Sequence, residues 1–274
     1  MPRLPLSGPT SSNPSGDSAR VSTPISTAST SASSKKSRWV RSSARPTRFW
    51  TRRSGGSGRT RIQSFSWIHL YDPHTPYEPP PPFAEKYPQS PYVGEIAFVD
   101  SELSRLGRFL DENNLSENSL LVIAGDHGES LGEHGESSHG FFIYQEAIHV
   151  PLIFVTPFSR FKGLSAPAVV SLIDVMPTVL EMTGLPVPAE VQGESLVPFF
   201  FRPEDDPERY AYSETYYPRF HYGWSELRSF QDKRHKLIIA PQKELYDLAA
   251  DADEMRDLAA VETGVVGRLN GAAE

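Results

Sequence analysis

The segment from Leu120 to Tyr144, LLVIAGDHGESLGEHGESSHGFFIY, constrains the fold of this chain more than any other stretch. It opens with the apolar run Leu120 to Ala124, which is bounded by polar residues and is typical of a buried strand in a parallel sheet. The chain then becomes polar and rich in glycine. Because open α/β sheets bind ligands outside the carboxyl ends of their strands, the segment predicts a functional site at this sheet edge.

Four carboxylates and three histidines follow the strand in this glycine-rich loop: Asp126, His127, Glu129, Glu133, His134, Glu136 and His139. Carboxylates and imidazoles together supply what a divalent metal and an anionic substrate need. A solvated polar loop is the simpler alternative, but the number of ligand-type residues disfavours it. We expect Glu133 and Glu136 to be surface charges. His134 and Glu129 are equally compatible with the site and with hydrogen bonds that stabilise the loop.

The flanking sequence predicts an α/β fold with a mostly parallel sheet sandwiched by helices. Apolar residues recur every three or four positions from Tyr92 to Asn113, which indicates an amphipathic helix packed on the sheet. Runs at 65–70, 150–155 and 169–173 read as further strands, and Asp174 is expected to cap a helix that ends at Gly184. Within this scheme His69 is a core histidine, and Glu95 and Asp100 are solvated or capping carboxylates.

Residues 208–248 change to four short β runs, Tyr210–Glu214, Trp224–Phe230, Lys236–Ala240 and Glu244–Leu248. Consecutive runs of this kind predict a small antiparallel sheet, with a closing helix from about Asp253. We favour a surface loop for Arg219, His221 and Tyr222, with substrate contact as the alternative. The predicted domains are 1–64, 65–205 (the α/β core) and 206–274 (the small β subdomain with its helix).

Residues 1–64 differ sharply in composition from the rest, with twelve Lys or Arg residues, seventeen serines and a single acid, Asp17. Such a segment cannot bury enough apolar surface to offset its chain entropy, so we predict disorder. Nucleic-acid or membrane binding and a transit peptide are alternatives, but we expect no nucleic-acid partner and favour sequence joined out of frame. Neither a signal peptide nor a transmembrane segment is evident, so the chain as written is expected in the cytoplasm.

Several stretches on both sides of the central loop resemble the sulfatase family of the alkaline phosphatase superfamily. They are HLYDPHTPYEPP at 69–80, YVGEIAFVD at 92–100, SLIDVMPTVLEMTGLPVP at 171–188, GESLVP at 193–198 and ELYDLAADADEMRDLA at 244–259. Together with the Asp-His-Gly that ends the central strand, these stretches follow the family's order from about Phe65 to Ala260. The resemblance implies an alkaline-phosphatase-like fold that is truncated at its amino-terminal side.

The resemblance also implies roles for four residues. Asp126 and His127 would bind a divalent metal, Ca²⁺ by family likeness, with Mg²⁺ or Mn²⁺ as alternatives. His139 falls near the position of a basic residue that binds the sulfate group, often Lys in relatives, and a histidine there would make anion binding pH-dependent around neutrality. His74 matches a histidine that touches the sulfate or the leaving oxygen and can protonate the departing alcohol. A loop histidine bonded to backbone is the alternative for His74.

Family members carry a nucleophile in a Cys/Ser-x-Pro-x-Arg motif, with the Cys or Ser oxidised to formylglycine. This chain has no cysteine, and Ala44 occupies the nucleophile position of the nearest match, Ala44-Arg45-Pro46-Thr47-Arg48, which we attribute to chance. We therefore assign no nucleophile and expect no formylglycine. The predicted function is hydrolysis of a small-molecule or glycan sulfate ester, impaired or absent in this chain. The alternatives are a phosphoesterase or phosphonate hydrolase of the superfamily, and a non-catalytic fragment.

Overall fold

The computed structural model describes residues 64–205 and 207–272. All of them fall within one compact unit, Val40–Glu274. The expectations for residues 1–63, including disorder, the alternatives to it and the Ala44 pentapeptide, lie outside the described residues.

The described residues form seven α-helices: α1 (Phe83–Lys86), α2 (Pro91–Glu112), α3 (Gln145–Ile148), α4 (Val175–Met182), α5 (Val197–Phe201), α6 (Tyr217–Tyr222) and α7 (Thr263–Ala272). Within the described part of the chain, none of these helices combines the length and the apolar character that crossing a bilayer requires.

The same part of the chain holds six strands in two separate sheets: β1 (Leu121–Ala124), β2 (Leu152–Val155), β3 (Ala211–Thr215), β4 (Leu227–Gln231), β5 (His235–Ile239) and β6 (Glu244–Asp247). The first sheet is the pair β1–β2, in which Leu121 lies opposite Val155 and Ala124 opposite Leu152. The second sheet has the order β3-β4-β5-β6, and all its neighbours are antiparallel.

The predicted parallel sheet is not found among residues 64–205 and 207–272, because β1 and β2 run antiparallel. The run at 65–70 forms no strand, and Phe65, Trp67 and Ile68 are exposed. The run belongs to neither of the two described sheets, so its backbone joins no described ladder. The expectation that His69 is a core histidine is also wrong, because His69 is exposed. Residues 169–173 likewise form no strand, and a 3₁₀ turn occupies Leu172–Asp174.

Helix α2 forms as predicted, with Pro91 in its first turn and Asn113 as its C-cap. Its buried residues, however, are Gly94 and Glu95, whereas Val93 and Ile96 of the expected core face are exposed. The helix packs on the loop at 71–82, which holds six prolines and which we call the proline-rich loop, rather than on a sheet. A Cβ at Gly94 would lie only 2.8 Å from Cγ of Pro79, so the glycine permits this close approach.

Helix α4 ends as predicted, since Gly184 follows it with a φ of +70°. Asp174 directly precedes the helix as predicted, but its side chain makes no capping hydrogen bond to α4 and instead forms, with Ser171, the capping box of the 3₁₀ turn at Leu172–Asp174. The buried Asp174 carboxylate also accepts a hydrogen bond from the Glu194 N–H at 2.8 Å and pairs with Nη2 of Arg209 at 2.7 Å. One aspartate therefore ties the start of α4 to two later segments.

The C-terminal sheet confirms the four predicted β runs, with boundaries that shift by at most three residues. Leu237, Leu245 and Leu269 form a fully buried cluster between this sheet and α7. The closing helix begins at Thr263 and not near Asp253. Glu254 has a φ of +51°, a left-handed conformation that cannot continue a helix, and its buried carboxylate pairs with the Lys236 ammonium at 2.8 Å.

Candidate active site

The loop after β1 is held against the backbone of α3 at a glycine. The Gly128 N–H donates to the carbonyl of Ala147 at 2.8 Å, and the Gly125 N–H donates to that of Pro151 at 3.1 Å. A Cβ at position 128 would lie 1.9 Å from the carbonyl oxygen of Glu146. Only glycine fits there without displacement, so Gly128 fixes the place of Asp126, His127 and Glu129.

Three histidine rings from separate parts of the chain meet beside this loop. The ring centroids of His127 and His139 are 4.0 Å apart, and His74 lies 5.1 Å from His139 and 6.4 Å from His127. His74 comes from the proline-rich loop, His127 from the end of β1 and His139 from the far end of the glycine-rich loop. We call these three residues the histidine cluster.

Glu129 is a buried carboxylate that contacts the histidine cluster, and 7% of its surface is exposed. Its Oε1 accepts a hydrogen bond from Nδ1 of His139 at 2.8 Å, and its Oε2 accepts one from the Tyr77 hydroxyl at 2.8 Å. Burial, and then the Glu129 carboxylate, raise the pKa of Tyr77 above its ordinary value, so the phenol stays a donor. Glu129 thus fixes the orientation of the His139 ring.

The Nδ1 atom of each histidine in the cluster is next to a hydrogen-bond acceptor. In His74 this atom lies 2.6 Å from the carbonyl oxygen of Thr75, and in His127 it lies 2.9 Å from the carbonyl oxygen of Gly128. In His139 it lies 2.8 Å from the Glu129 carboxylate. A carbonyl or carboxylate oxygen only accepts, so Nδ1 carries the proton in each ring. The Nε2 atoms are left for a metal, an anion or a proton in transfer.

The residues present fit a divalent metal at Asp126 and His127. The Asp126 side chain is largely exposed, and within the described residues its only hydrogen bond is from the His127 N–H, at 3.1 Å. The His127 Nε2 lies 4.0 Å from the same carboxylate oxygen. A bonded Nδ1–H and an available Nε2 are typical of metal-ligating histidines. A second set, His74, Glu129 and His139, has ligand atoms within 4.8 Å of one another.

Glu95 holds the loop that carries His74. Its carboxylate is 2% exposed and accepts hydrogen bonds from the N–H groups of His74 at 3.0 Å and Glu78 at 2.6 Å. Burial raises the pKa of Glu95, although these two hydrogen bonds oppose the rise. The expectation of a solvated carboxylate is therefore wrong for Glu95, whereas Asp100 is exposed as predicted.

Two family models match the chain across this site. The Sulfatase model matches residues 62–185, and the model for N-sulphoglucosamine sulphohydrolase, C-terminal, matches residues 132–265. Over residues 62–265, the part that the two models match, the chain belongs to the sulfatase family. Sulfatases are hydrolases that act on sulfate esters, and the two matches confirm the resemblance read from the motifs.

Curated and solved relatives of this sulfatase-family chain agree with that assignment. N-acetylglucosamine-6-O-sulfatase of Bacteroides thetaiotaomicron is 31% identical over 177 residues, which cover 61% of this chain and 31% of that protein. BT4656, solved in complex with its substrate D-glucosamine-2-N,6-O-disulfate, has a TM-score of 0.60 and 29% identity over 69% of this chain and 40% of its own. The phosphonate monoester hydrolase of Agrobacterium radiobacter has a TM-score of 0.57 and 27% identity, over 68% and 40%.

The sulfatase-family chain therefore spans less than half the length of each of these proteins. The superpositions support the predicted fold family for the described residues. They concern the fold as a whole, and the described strands within it remain antiparallel.

Three further ionisable residues lie in the glycine-rich loop after β1, and two of them are buried or bonded to other parts of the fold. Glu136 was expected at the surface but is buried, and it accepts hydrogen bonds from the N–H groups of Phe141 at 2.9 Å and Phe142 at 3.0 Å. Glu133 is exposed as predicted. His134 stacks on Tyr144 with ring centroids 3.7 Å apart, and its Nε2 lies 3.0 Å from the carbonyl oxygen of Asp253. These contacts make His134 a residue that joins the loop to the C-terminal part.

Tyr77 and Glu95 are the site residues that the sequence interpretation missed. The signal for Glu95 was its position on α2, since it shares a helical face with Phe98 and Val99, three and four residues further on. No comparable signal marked Tyr77 within the proline-rich loop. Arg219, His221 and Tyr222 are exposed as predicted, but they lie in helix α6 and not in a loop.

Proposed function

We propose that this chain binds the sulfate ester group of a sulfated sugar at the histidine cluster, as part of a sulfate ester hydrolase. The observation that carries the proposal is the convergence of His74, His127 and His139 around one buried carboxylate. The names of the relatives, an N-acetylglucosamine-6-O-sulfatase and a protein bound to glucosamine disulfate, support an amino sugar as the sulfated group.

Each residue has a proposed role in this scheme. In its imidazolium form, with Nδ1–H bonded to Glu129, His139 donates to a sulfuryl oxygen from Nε2–H. His74, held by Glu95 through its backbone N–H, gives the Nε2 proton of its imidazolium form to the departing alcohol oxygen. Asp126 and His127 would hold the divalent metal, Ca²⁺ by family likeness, which supplies positive charge to offset that of the sulfuryl oxygens. The second set of possible ligands is less suitable, because Glu129 already accepts two hydrogen bonds.

We further propose that the 274-residue chain alone turns over sulfate esters little or not at all. No Cys/Ser-x-Pro-x-Arg sequence occurs in it, and it contains no cysteine. Binding of the ester and its hydrolysis are therefore separable in this protein. Purified chain with added Ca²⁺ is expected to release no p-nitrophenol from p-nitrophenyl sulfate above the buffer rate, and clear metal-dependent release would overturn this part.

The test of binding is calorimetric titration of the full chain with glucosamine 6-sulfate in the presence of Ca²⁺. His139→Ala and His74→Ala are expected to weaken binding at least about tenfold, the scale of a lost charge-assisted hydrogen bond. His69→Ala is the matched control, because His69 is an exposed histidine of the same region. Equal affinity in all four proteins would reject the site.

A phosphonate or phosphate ester is the second candidate ligand, favoured by the likeness to phosphonate monoester hydrolase. Competition decides between the two. Glucosamine 6-phosphate and unlabelled glucosamine 6-sulfate are each used to displace labelled glucosamine 6-sulfate from the chain. If the phosphate ester does so at the lower concentration, it is the better ligand and the sulfate assignment is rejected.

A further inference from the structure

Four aromatic side chains form a surface cluster next to the candidate site, and none of them has a role in the proposed sulfate binding. They are Phe141, Tyr217, Tyr222 and Trp224, and we call them the aromatic platform. Phe141 is the centre: its ring centroid lies 5.0 Å from that of Tyr217, 5.3 Å from Tyr222 and 6.3 Å from Trp224. Tyr222 and Trp224 are themselves 5.2 Å apart.

Three of the four platform residues are exposed although they are aromatic, and Phe141 is half-buried. Tyr217 is 41% exposed, Tyr222 53% and Trp224 61%. Aromatic rings bury large areas in most proteins, and a contiguous exposed group of them marks a binding surface more often than single exposed residues do. A cleft of about 210 Å³ opens beside it, lined in part by Phe141, Pro218 and Trp224.

The backbone beneath the platform is held in place. Pro218 lies in the first turn of α6 and is buried, and Gly223 follows the helix as its C-cap with a φ of +69°. The Trp224 N–H then returns to the Pro218 carbonyl at 3.3 Å. Glu136, itself buried, accepts a hydrogen bond from the Phe141 N–H at 2.9 Å. The rings are therefore presented by a fixed turn on one side and a fixed loop on the other.

The platform and the histidine cluster are neighbours along the chain, at Phe141 and His139. Only Gly140 separates His139 from Phe141, so the two Cα atoms are at most about 7 Å apart. The Thr215 hydroxyl, two residues before Tyr217, donates to the Gly140 carbonyl at 2.6 Å. A sulfated sugar at His139 would thus leave its next linked residue beside Phe141.

We propose that the aromatic platform binds the sugar ring that is linked to the sulfated one, so that the chain recognises a sulfated oligosaccharide rather than a monosaccharide. Sugar rings present C–H groups on one face and hydroxyls at their edge. Exposed Tyr and Trp rings suit that face, because they combine an apolar surface with a polar atom. At the rim, Arg219 and Glu226 form a pair at 2.8 Å whose polar atoms suit hydroxyl and carboxylate groups.

This inference rests on the proposed function, and the first experiment separates the two. The full chain is titrated with glucosamine 6-sulfate and with a heparin-derived tetrasaccharide that carries 6-sulfated glucosamine. The wild type is expected to bind the tetrasaccharide more tightly. Trp224→Ala is expected to lower the affinity for the tetrasaccharide about tenfold, which is the scale of one lost aromatic contact. The affinity for glucosamine 6-sulfate should not change.

Trp67→Ala is the matched control, because Trp67 is an exposed tryptophan outside the platform. If both sulfated ligands bind equally, and Trp224→Ala changes neither, the platform proposal is rejected while the sulfate site stands. If Trp224→Ala weakens both ligands to the same degree, the platform serves the sulfated sugar itself and the proposal is again rejected.

Chitotetraose, which has no sulfate, tests the platform without the sulfate site. In a Trp67→Phe background it is expected to change the fluorescence of the chain, and Trp224→Phe with Tyr222→Ala should abolish the change. A platform covered by a second copy of the chain would instead give concentration-dependent association that Trp224→Ala abolishes, with no response to chitotetraose. That outcome would overturn the assignment to a sugar.

Discussion

At the scale of single residues, Gly128 is the position where the backbone leaves least room. A Cβ there would lie 1.9 Å from the Glu146 oxygen and 3.0 Å from its carbonyl carbon. Because backbone cannot rotate away as a side chain can, Gly128→Ala must displace the loop or α3. We expect the free energy of unfolding to fall by about 1–3 kcal/mol, measured by urea denaturation.

Gly107→Ala is the control for this substitution. Gly107 lies within α2, and a Cβ there would meet nothing within 4 Å. Alanine is the better helix former, so this variant is expected to gain about 0.5–1 kcal/mol. Loss of stability in both variants, or in neither, would contradict the close approach at Gly128.

Glu129 gives the second prediction at this scale. Glu129→Gln keeps an acceptor of the same shape but removes the charge that His139 and Tyr77 face. Affinity for glucosamine 6-sulfate is expected to fall about tenfold near neutral pH, because a neutral amide holds the imidazole ring more weakly than a carboxylate does. Glu133→Gln, an exposed change in the same loop, should leave affinity as it is. Undiminished binding by the Glu129 variant would rule out the orienting role.

The sequence indicates the ligand-type residues of the candidate site better than it indicates the buried carboxylates that hold them in position. His74, His127 and His139 were marked by residue type and by resemblance, and they do converge. Glu136 was predicted to be a surface charge and Glu95 a solvated or capping carboxylate, and Glu129 was left open between the site and loop-stabilising hydrogen bonds, yet all three are buried. Burial of a carboxylate depends on which backbone N–H groups the fold brings to it, and one-dimensional periodicity does not contain that information.

At the scale of elements, α2 carries a buried carboxylate whose titration should be visible. Glu95→Ala leaves the N–H groups of His74 and Glu78 without their acceptor, so we expect a loss of about 3 kcal/mol in the free energy of unfolding. Asp100→Ala, an exposed acidic position on the same helix, should cost little. A loss of equal size in both variants would show that the cost comes from the helix and not from the two hydrogen bonds.

The same carboxylate predicts the direction of a pH dependence. Burial raises the pKa of Glu95 above its ordinary 4.5, so the folded protein binds this proton more tightly than the unfolded chain does. Glu95 therefore stabilises the fold most at pH values below 4.5, and this stabilisation is lost as the pH rises through the raised pKa. Denaturation curves at several pH values above 4.5 should show the wild type losing stability relative to Glu95→Ala. A difference that stays constant with pH would contradict the buried, titrating carboxylate.

The local signals of these elements were readable, and their partners were not. Asp174, Gly184 and the alternating runs of the C-terminal sheet indicate structure through nearest neighbours, and those elements formed as predicted. The run at 65–70 needs neighbouring strands before it can become one, and the described residues supply none. The late start of α7 depends on Glu254, whose left-handed φ accompanies a buried ion pair with Lys236.

At the scale of the whole molecule, the two sheets differ in how completely they are covered. Leu237 of β5 and Leu245 of β6 are fully buried against α7, whereas Ile153 of β2 is 50% exposed and Trp67 is exposed as well. Local stability follows buried apolar contacts and protected backbone hydrogen bonds, so the chain should not open as one unit.

Hydrogen exchange followed by mass spectrometry measures this difference along the chain. Peptides from β5 and β6 are expected to exchange slowest and those covering 64–71 fastest, with β1 and β2 in between because they form only a two-stranded ladder. Leu245→Ala should speed exchange across β4–β6 while leaving β1–β2 unchanged, since the two sheets share no strand. Equal protection of both sheets, with a common response to Leu245→Ala, would instead mean that the site loop and the C-terminal sheet unfold together. The histidine cluster would then share the full stability of the core, and binding of a sulfate ester would protect every peptide alike rather than those of the loop alone.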